Sequence, residues 1–80
     1  MTGMTNKLTA QNKIVVVGDF VRVSSGPSYV KGSRMNPKGR VVEVTRLPNG
    51  DAEVVVLIES AYLRGFNVEF NERDLTVVKR

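Results

Sequence analysis

From Ile14 onward, apolar and polar residues alternate over short runs, and turn-forming residues interrupt these runs about every ten positions. β-branched residues dominate the runs, and no window has the apolar spacing of an amphipathic helix. Short runs at this spacing are typical of small β-sandwiches and β-barrels. The pattern therefore predicts an all-β protein without a long helix.

The runs predict five strands, which cover residues 14–24, 38–46, 52–60, 67–70 and 75–79. Gly18 and Asp19 interrupt the first strand, and we expect a bend there in which the Asp19 carboxylate accepts hydrogen bonds from backbone N–H groups. The adjacent Val41 and Val42 predict a bulge or burial on both faces of the second strand. The unbroken apolar run Val54–Ile58 predicts a central third strand that is covered on both faces.

The connections between the strands complete the predicted fold. Asn49-Gly50, between two valine-rich runs, is a strong hairpin signal. A long loop, Ser25–Pro37, has no hydrophobic period, and loops longer than about 12 residues are often functional. We expect one turn of 3-10 helix within Asn71–Asp74, before the last strand. These elements predict a small five-stranded SH3-like barrel, with an OB-type barrel as the alternative fold.

Length and composition limit the organisation to one small domain, because the chain has 80 residues. Residues 1–13 are polar, so we expect a flexible N-terminal tail followed by the barrel at 14–80. The longest apolar run is far shorter than the roughly 20 residues of a membrane helix. The N-terminal residues also lack the apolar core of a signal peptide. We therefore expect a cytoplasmic protein without membrane insertion.

The residue types present exclude several kinds of chemistry. The sequence has no cysteine and no histidine, which excludes disulfides, thiolate or histidine metal sites and nucleophiles activated by histidine. The eight carboxylates show no spacing typical of a metal site or an acid–base pair, and no glycine-rich phosphate motif occurs. We therefore expect no enzymatic activity, no cofactor and no metal.

Charge is segregated along the chain. The segment from Arg22 to Arg46, the basic region, has six basic residues and one acid, a net charge of +5. The segment Leu47–Asp74 has six acids and two arginines, a net charge of −4. A basic region of this kind favours binding to phosphates or other anions. The alternative is a solvated surface on which the two charge classes neutralise each other across neighbouring strands.

The basic region and the long loop supply the candidate binding residues. We expect the cations to contact phosphates or carboxylates, and Tyr29 to stack on a base or pack on a partner; alternatively, Tyr29 closes the core. The candidates for binding nucleic acid or a partner are Arg22, Tyr29, Lys31, Arg34, Lys38, Arg40 and Arg46. A second loop, 61–66, offers a possible protein contact, or a satellite core, at Tyr62, Arg64 and Phe66.

Four short motifs lie within residues 18–44: Gly18-Asp19, Val21-Arg22-Val23, Gly26-Pro27 and Gly39-Arg40-Val41. In this order they resemble the KOW motif of SH3-like barrels in transcription elongation factors and some ribosomal proteins. Here Gly39 permits a close backbone approach where the chain re-enters the barrel. The chain departs from the motif by the additional residues 29–36. The resemblance implies an SH3-like fold and binding to nucleic acid or to the transcription and translation machinery.

A second set of motifs resembles other small SH3-like barrels. The similar positions are Val21-Arg22-Val23, Ser28-Tyr29, Gly39-Arg40-Val41, Val54-Val55-Val56 and Phe70–Leu75. They are similar to PsaE, a small peripheral subunit of photosystem I, and to the variable chain of ferredoxin–thioredoxin reductase. The last strands also resemble those of small phage-encoded proteins. These likenesses imply a docking subunit without catalysis.

The sequence thus supports two functional hypotheses. The leading one is a non-enzymatic module that uses the basic region to bind nucleic acid or a nucleic-acid-bound protein complex. The alternative is an accessory subunit that docks on a larger protein through the same long loop and the second loop. In either case we expect a monomer or a weak homo-oligomer, because an edge strand is able to pair with another copy.

Overall fold

The structure is a computed structural model that describes residues 14–60 and 63–79. Five antiparallel strands form one sheet in the order β4-β3-β2-β1-β5. The strands are β1 Phe20–Val23, β2 Lys38–Arg46, β3 Ala52–Ile58, β4 Asn67–Asn71 and β5 Leu75–Lys79. One turn of 3-10 helix, Glu72–Asp74, connects β4 to β5. The all-β class, the five strands and the short 3-10 turn before the last strand are confirmed. The expected tail at 1–13 lies outside the described residues.

The first strand is shorter than the sequence predicts, because a tight turn precedes it. The Asp19 N–H donates to the Val16 carbonyl at 3.1 Å, and the Val16 N–H donates to Asp19 Oδ2 at 3.0 Å. Gly18 lies in the turn with φ of 99°, a left-handed conformation that favours glycine. The β-branched run before Gly18 is therefore not a strand, whereas the expected role of Asp19 as a turn acceptor is confirmed.

A bulge in β2 sets which side chains face the core. Val41 lies opposite Val56, but the next paired residue, Glu43, lies opposite Val55, so Val42 is the additional residue. Val41 is buried and Val42 is exposed. The bulge is therefore the correct choice between the two expectations for the adjacent valines.

The third strand is covered on one face only. Its side chains alternate between buried and half-buried, with Val54, Val56 and Ile58 in the core and Val55 and Leu57 half-buried on the outer face. The expectation of cover on both faces was wrong. The unbroken apolar run instead reflects the interior place of β3 in the sheet, because β2 and β4 pair with it on both sides.

The core lies on one face of the sheet, the inner face. Its buried apolar residues are Val15, Val21, Val23, Val41, Ala52, Val54, Val56, Ile58, Phe70 and Leu75. Within 14–60 and 63–79 no strand ladder joins β4 to β5, so the hydrogen-bonded sheet is open at these two strands. A closed barrel therefore stays a prediction. In this part of the chain, no helix has the length and apolarity needed to cross a membrane.

Candidate functional site

The long loop between β1 and β2 is folded by its own backbone turns. In the first turn the Tyr29 N–H donates to the Gly26 carbonyl at 3.1 Å, and Pro27 occupies the second position, which its fixed φ suits. In the second turn the Ser33 N–H donates to the Val30 carbonyl at 3.1 Å. The loop therefore has a defined shape although it contains no strand.

The side chain of Asn36 fixes the tip of the long loop. Its Oδ1 accepts the Val30 N–H at 2.8 Å. Its Nδ2 donates to the carbonyl of Val30 at 2.9 Å and to that of Ser33 at 3.1 Å. A single amide thus bridges residues 30 to 36, so the loop tip is held before any ligand binds.

The two ends of the long loop are attached to the body of the protein. The Val23 N–H donates to the carbonyl of the buried Pro37 at 2.9 Å, which brings the two ends together. Ser24 and Ser25 bond to Asp74 of the 3-10 turn: the Ser24 N–H donates to its carbonyl at 2.8 Å and Ser25 Oγ to its carboxylate at 2.9 Å. Asp74 therefore serves as an anchor for the loop.

A cleft of about 480 Å³ lies between the long loop and the outer face of β1 and β2. We call it the basic cleft. Its polar lining consists of Arg22, Tyr29, Ser33, Arg34, Asn36 and Lys38. Arg22 and Lys38 are directly opposite each other in the antiparallel pair of β1 and β2, so the sheet register places both on one wall. Arg34 joins them from the loop.

The basic cleft carries positive charge without a carboxylate in its described lining. The ion pairs between described residues are Arg46–Glu72 and Arg73–Asp51, and both lie outside the cleft. The Glu59 N–H donates to the Lys38 carbonyl at 2.9 Å, but Glu59 is not among the residues that line the cleft. Three cations that converge on one concave surface favour binding of an anion with several charges.

Tyr29 lies at the basic cleft and outside the core. It is 36% exposed and does not belong to the apolar cluster that forms the core. Of the two expectations for this residue, the structure therefore favours a surface contact over closure of the core. Its neighbours in the cleft include two arginines, Arg22 and Arg34.

Three of the expected cations lie elsewhere. Lys31 is exposed in the turn at the loop tip and is not among the residues that line the basic cleft. Arg40 supports the turn before β1: Nη1 donates to the Gly18 carbonyl at 3.0 Å, and the guanidinium lies 5.4 Å from the centre of the Phe20 ring. Arg46 belongs to a structural ion pair at the opposite end of β2.

Arg46 and Glu72 attach the segment before β1 to the sheet. Arg46 Nη2 and Nη1 donate to the two Glu72 oxygens at 2.7 and 3.0 Å. The Val15 N–H donates to Glu72 Oε2 at 2.8 Å, and Arg46 also reaches the Val15 carbonyl at 3.4 Å. The hydrogen bonds from Arg46 hold the pKa of Glu72 below its ordinary value, and Glu72 raises the pKa of Arg46.

The second loop presents an apolar surface beside the long loop. Phe66 is 62% exposed, while Leu63 is half-buried and packs against the core. Arg64 is exposed, and Tyr62 lies outside the described residues. A groove of about 380 Å³, the apolar groove, separates the two loops. Its apolar lining consists of Pro27, Val30, Met35, Pro37, Leu63, Val68 and Phe70.

Three glutamates lie together on the outer face of the sheet. Glu43 on β2 and Glu69 on β4 both lie opposite Val55 of β3, and Glu53 is the next outward residue of β3. A hydrogen bond with Glu53, and the charges of Glu53 and Glu43, raise the pKa of Glu69. Across the described ranges no cluster of three or more acidic residues is arranged to hold a metal ion.

Two residues that shape the site have no counterpart among the sequence candidates. Asn36 organises the loop tip and Asp74 anchors the loop base. The only sequence signal for Asn36 is the Asn36-Pro37 pair, which predicts a loop end and says nothing about side-chain partners. Comparison of the chain with protein-family models, with curated proteins and with solved structures finds no match.

Proposed function

We propose that this protein is a small non-enzymatic module that binds nucleic acid, alone or within a nucleic-acid-bound complex, through the basic cleft. One observation carries the proposal: Arg22, Arg34 and Lys38 line a single concave site whose described lining has no acid. Arginine and lysine on such a surface replace the counterions of phosphates, which drives association. The preformed loop lowers the entropic cost of binding.

An SH3-like fold of the KOW type is part of the same proposal. Three features support it: a long loop between β1 and β2, a 3-10 turn between β4 and β5, and β5 beside β1 in the sheet. The motif that begins at Gly18-Asp19 forms the turn into β1, and Gly39 takes part in a close approach to Leu57 of β3. These are the positions on which the resemblance depends.

Docking on a protein is the second candidate function, and the apolar groove favours it. Phe66 and Met35 are 62% and 56% exposed, respectively, and Met35 lines the groove. Large exposed apolar side chains of this kind act as anchors in protein interfaces. This function predicts loss of binding for Phe66→Ala and weak dependence on salt.

Fluorescence anisotropy with labelled oligonucleotides tests the nucleic-acid proposal. Single alanine variants of Arg22, Arg34 and Lys38 are compared with Arg73→Ala, which removes the same charge at the far hairpin, where Arg73 pairs with Asp51. If the three cleft cations each contact a phosphate, the slope of log affinity against log salt is about −2 for a single strand. Each alanine variant in the cleft lowers the magnitude of this slope by about 0.7, because it removes one phosphate contact.

Arg73→Ala is the control for the cleft variants. Arg73→Ala keeps the salt slope of the unmodified protein, since its guanidinium is at the opposite end of β2 from the cleft. Absence of binding at about 50 mM salt would contradict the proposal. So would an equal loss of affinity in all four variants, because that result reflects net charge and not a site.

A further inference from the structure

We propose that the basic cleft takes a single strand of nucleic acid, with one base against Tyr29 and the neighbouring phosphates beside Arg22, Arg34 and Lys38. The inference rests on the proposed function and deepens it, because it names the form of nucleic acid and the absence of base preference. It follows from the shape of the site, from its chemistry and from the hydrogen bonds already made within it.

The shape of the basic cleft suits an unpaired strand. The cations and Tyr29 surround a recess of about 480 Å³ rather than a projecting ridge. Proteins that read duplex DNA insert a helix or a two-stranded ribbon into its groove. Among the described residues the helical content is one three-residue turn, which anchors the base of the loop, and the tip of the β2–β3 hairpin lies at the opposite end of β2 from Lys38. A recess instead admits a base that has left the stack.

The chemistry of the lining matches the two parts of a nucleotide. An aromatic ring stacks on any of the bases, since every base has a π face. Tyr29 is the aromatic residue among the described residues of the lining, and Arg22 and Arg34 lie in the same recess. Guanidinium groups bond to phosphates and also stack on bases, so the same cleft offers both contacts to one short strand.

The internal hydrogen bonds of the loop limit recognition of base edges. Asn36, the amide side chain of the lining, uses its acceptor and its donor group on the backbone of Val30 and Ser33. Ser33 Oγ accepts the Met35 N–H at 2.9 Å. Because these groups hold the loop, the contacts left to a base are mainly stacking and charge, and binding tolerates different sequences.

Tyrosine fluorescence tests the inference with one reporter. The chain has two tyrosines and no tryptophan, so Tyr62→Phe leaves Tyr29 as the emitting residue. The probes are single strands of about 12 nucleotides, in several sequences, and a duplex of the same length. We expect single strands to quench the emission of Tyr29, with similar affinities for all sequences. We also expect the duplex to bind at least roughly tenfold more weakly.

Variants at Tyr29 separate stacking from folding. Tyr29→Ala lowers affinity for a single strand by roughly 5- to 150-fold, which is the range for loss of one stacked base, whereas Tyr29→Phe retains it. The backbone N–H of Tyr29 makes the turn bond to Gly26, so both variants keep that contact. Circular dichroism melting confirms that both are folded.

The outcomes distinguish this inference from the proposed function. If neither single strands nor duplex bind at low salt, the proposed function itself fails. If duplex binds as tightly as single strands, or if Tyr29→Ala binds single strands unchanged, nucleic-acid binding stands and the single-strand inference is overturned. If the protein strongly prefers one nucleic-acid sequence, the inference that it binds without base preference is wrong.

Discussion

Asn36 holds the peptide groups of Val30 from both sides: its Oδ1 accepts the Val30 N–H at 2.8 Å, and its Nδ2 donates to the Val30 carbonyl at 2.9 Å. These two hydrogen bonds link the Asn36 side chain to the Val30 backbone and so fix the tip of the long loop. The loop forms one wall of the basic cleft and contributes Arg34 to it. The position of a binding cation thus depends on an amide that makes no contact of its own with a phosphate in our proposal.

Replacement of Asn36 tests whether the shape of the loop matters for binding. We expect Asn36→Ala to weaken binding of a single strand roughly three- to tenfold, because the loop must then be ordered on binding. Thermal stability changes little, since the lost hydrogen bonds are at an exposed loop. Anisotropy titrations and thermal melts measure the two effects. Unchanged affinity in Asn36→Ala would show that the loop needs no prior order.

The Arg46–Glu72 pair predicts how stability depends on pH. The pKa of Glu72 is lowered in the folded protein, so the carboxylate stabilises the fold above its ordinary pKa of 4.5. That contribution is lost as the pH falls through the lowered value. We expect Glu72→Gln to have a lower Tm than the unmodified protein at pH 7, and the difference to disappear in acid. A constant difference in Tm across this pH range would contradict the role of the charge.

Glu69 predicts the opposite dependence on pH. Its pKa is raised by Glu53 and Glu43, so its ionised form destabilises the fold at neutral pH. We expect Glu69→Gln to raise the Tm at pH 7, and the gain to vanish as the pH falls through the raised pKa and Glu69 is protonated. Glu59→Gln removes the same charge outside this group and serves as the control. Equal gains in both variants would indicate an effect of net charge alone.

The close packing of Gly39 against β3 leaves no room for a Cβ atom at this position. A Cβ at this residue would overlap the carbonyl of Leu57 on the neighbouring strand, and backbone atoms are unable to move aside as a flexible side chain does. We expect Gly39→Ala to lower the free energy of unfolding by about 2 kcal/mol or more. Thr45→Ala, on the exposed side of the same strand, changes it by about 0.5 kcal/mol or less. Urea titrations measure both, and equal effects would refute the close approach.

The sequence predicts strands well where the apolar pattern and the flanking residues agree. The bounds of β2 and β5 match those expected, since glycine, proline or polar turns limit both runs. The first strand was predicted too long because Ile14–Val17 has the composition of a strand. The hydrogen bond between Val16 and Asp19 converts that run into a turn, and composition does not report such a contact.

The candidate site could be predicted only in part, for a similar reason. Arg22 and Lys38 are sequence candidates on predicted strands, and the structure adds the register that places them opposite each other. Arg46 carries the same charge, but it pairs with Glu72, which is 26 residues away in sequence. Residues distant in sequence meet only in the folded chain, so charge along the sequence does not separate binding cations from structural ones.

An NMR titration of isotope-labelled protein with an unlabelled single strand tests binding at the basic cleft most directly. Each backbone amide reports its own surroundings, so the site is located without any substitution. We expect the largest shift changes at Arg22, at Lys38 and in the long loop, with little change at Glu53 or Glu69 on the acidic outer face. Changes centred on Phe66 and the second loop, or no changes at low salt, would contradict binding of nucleic acid at this cleft.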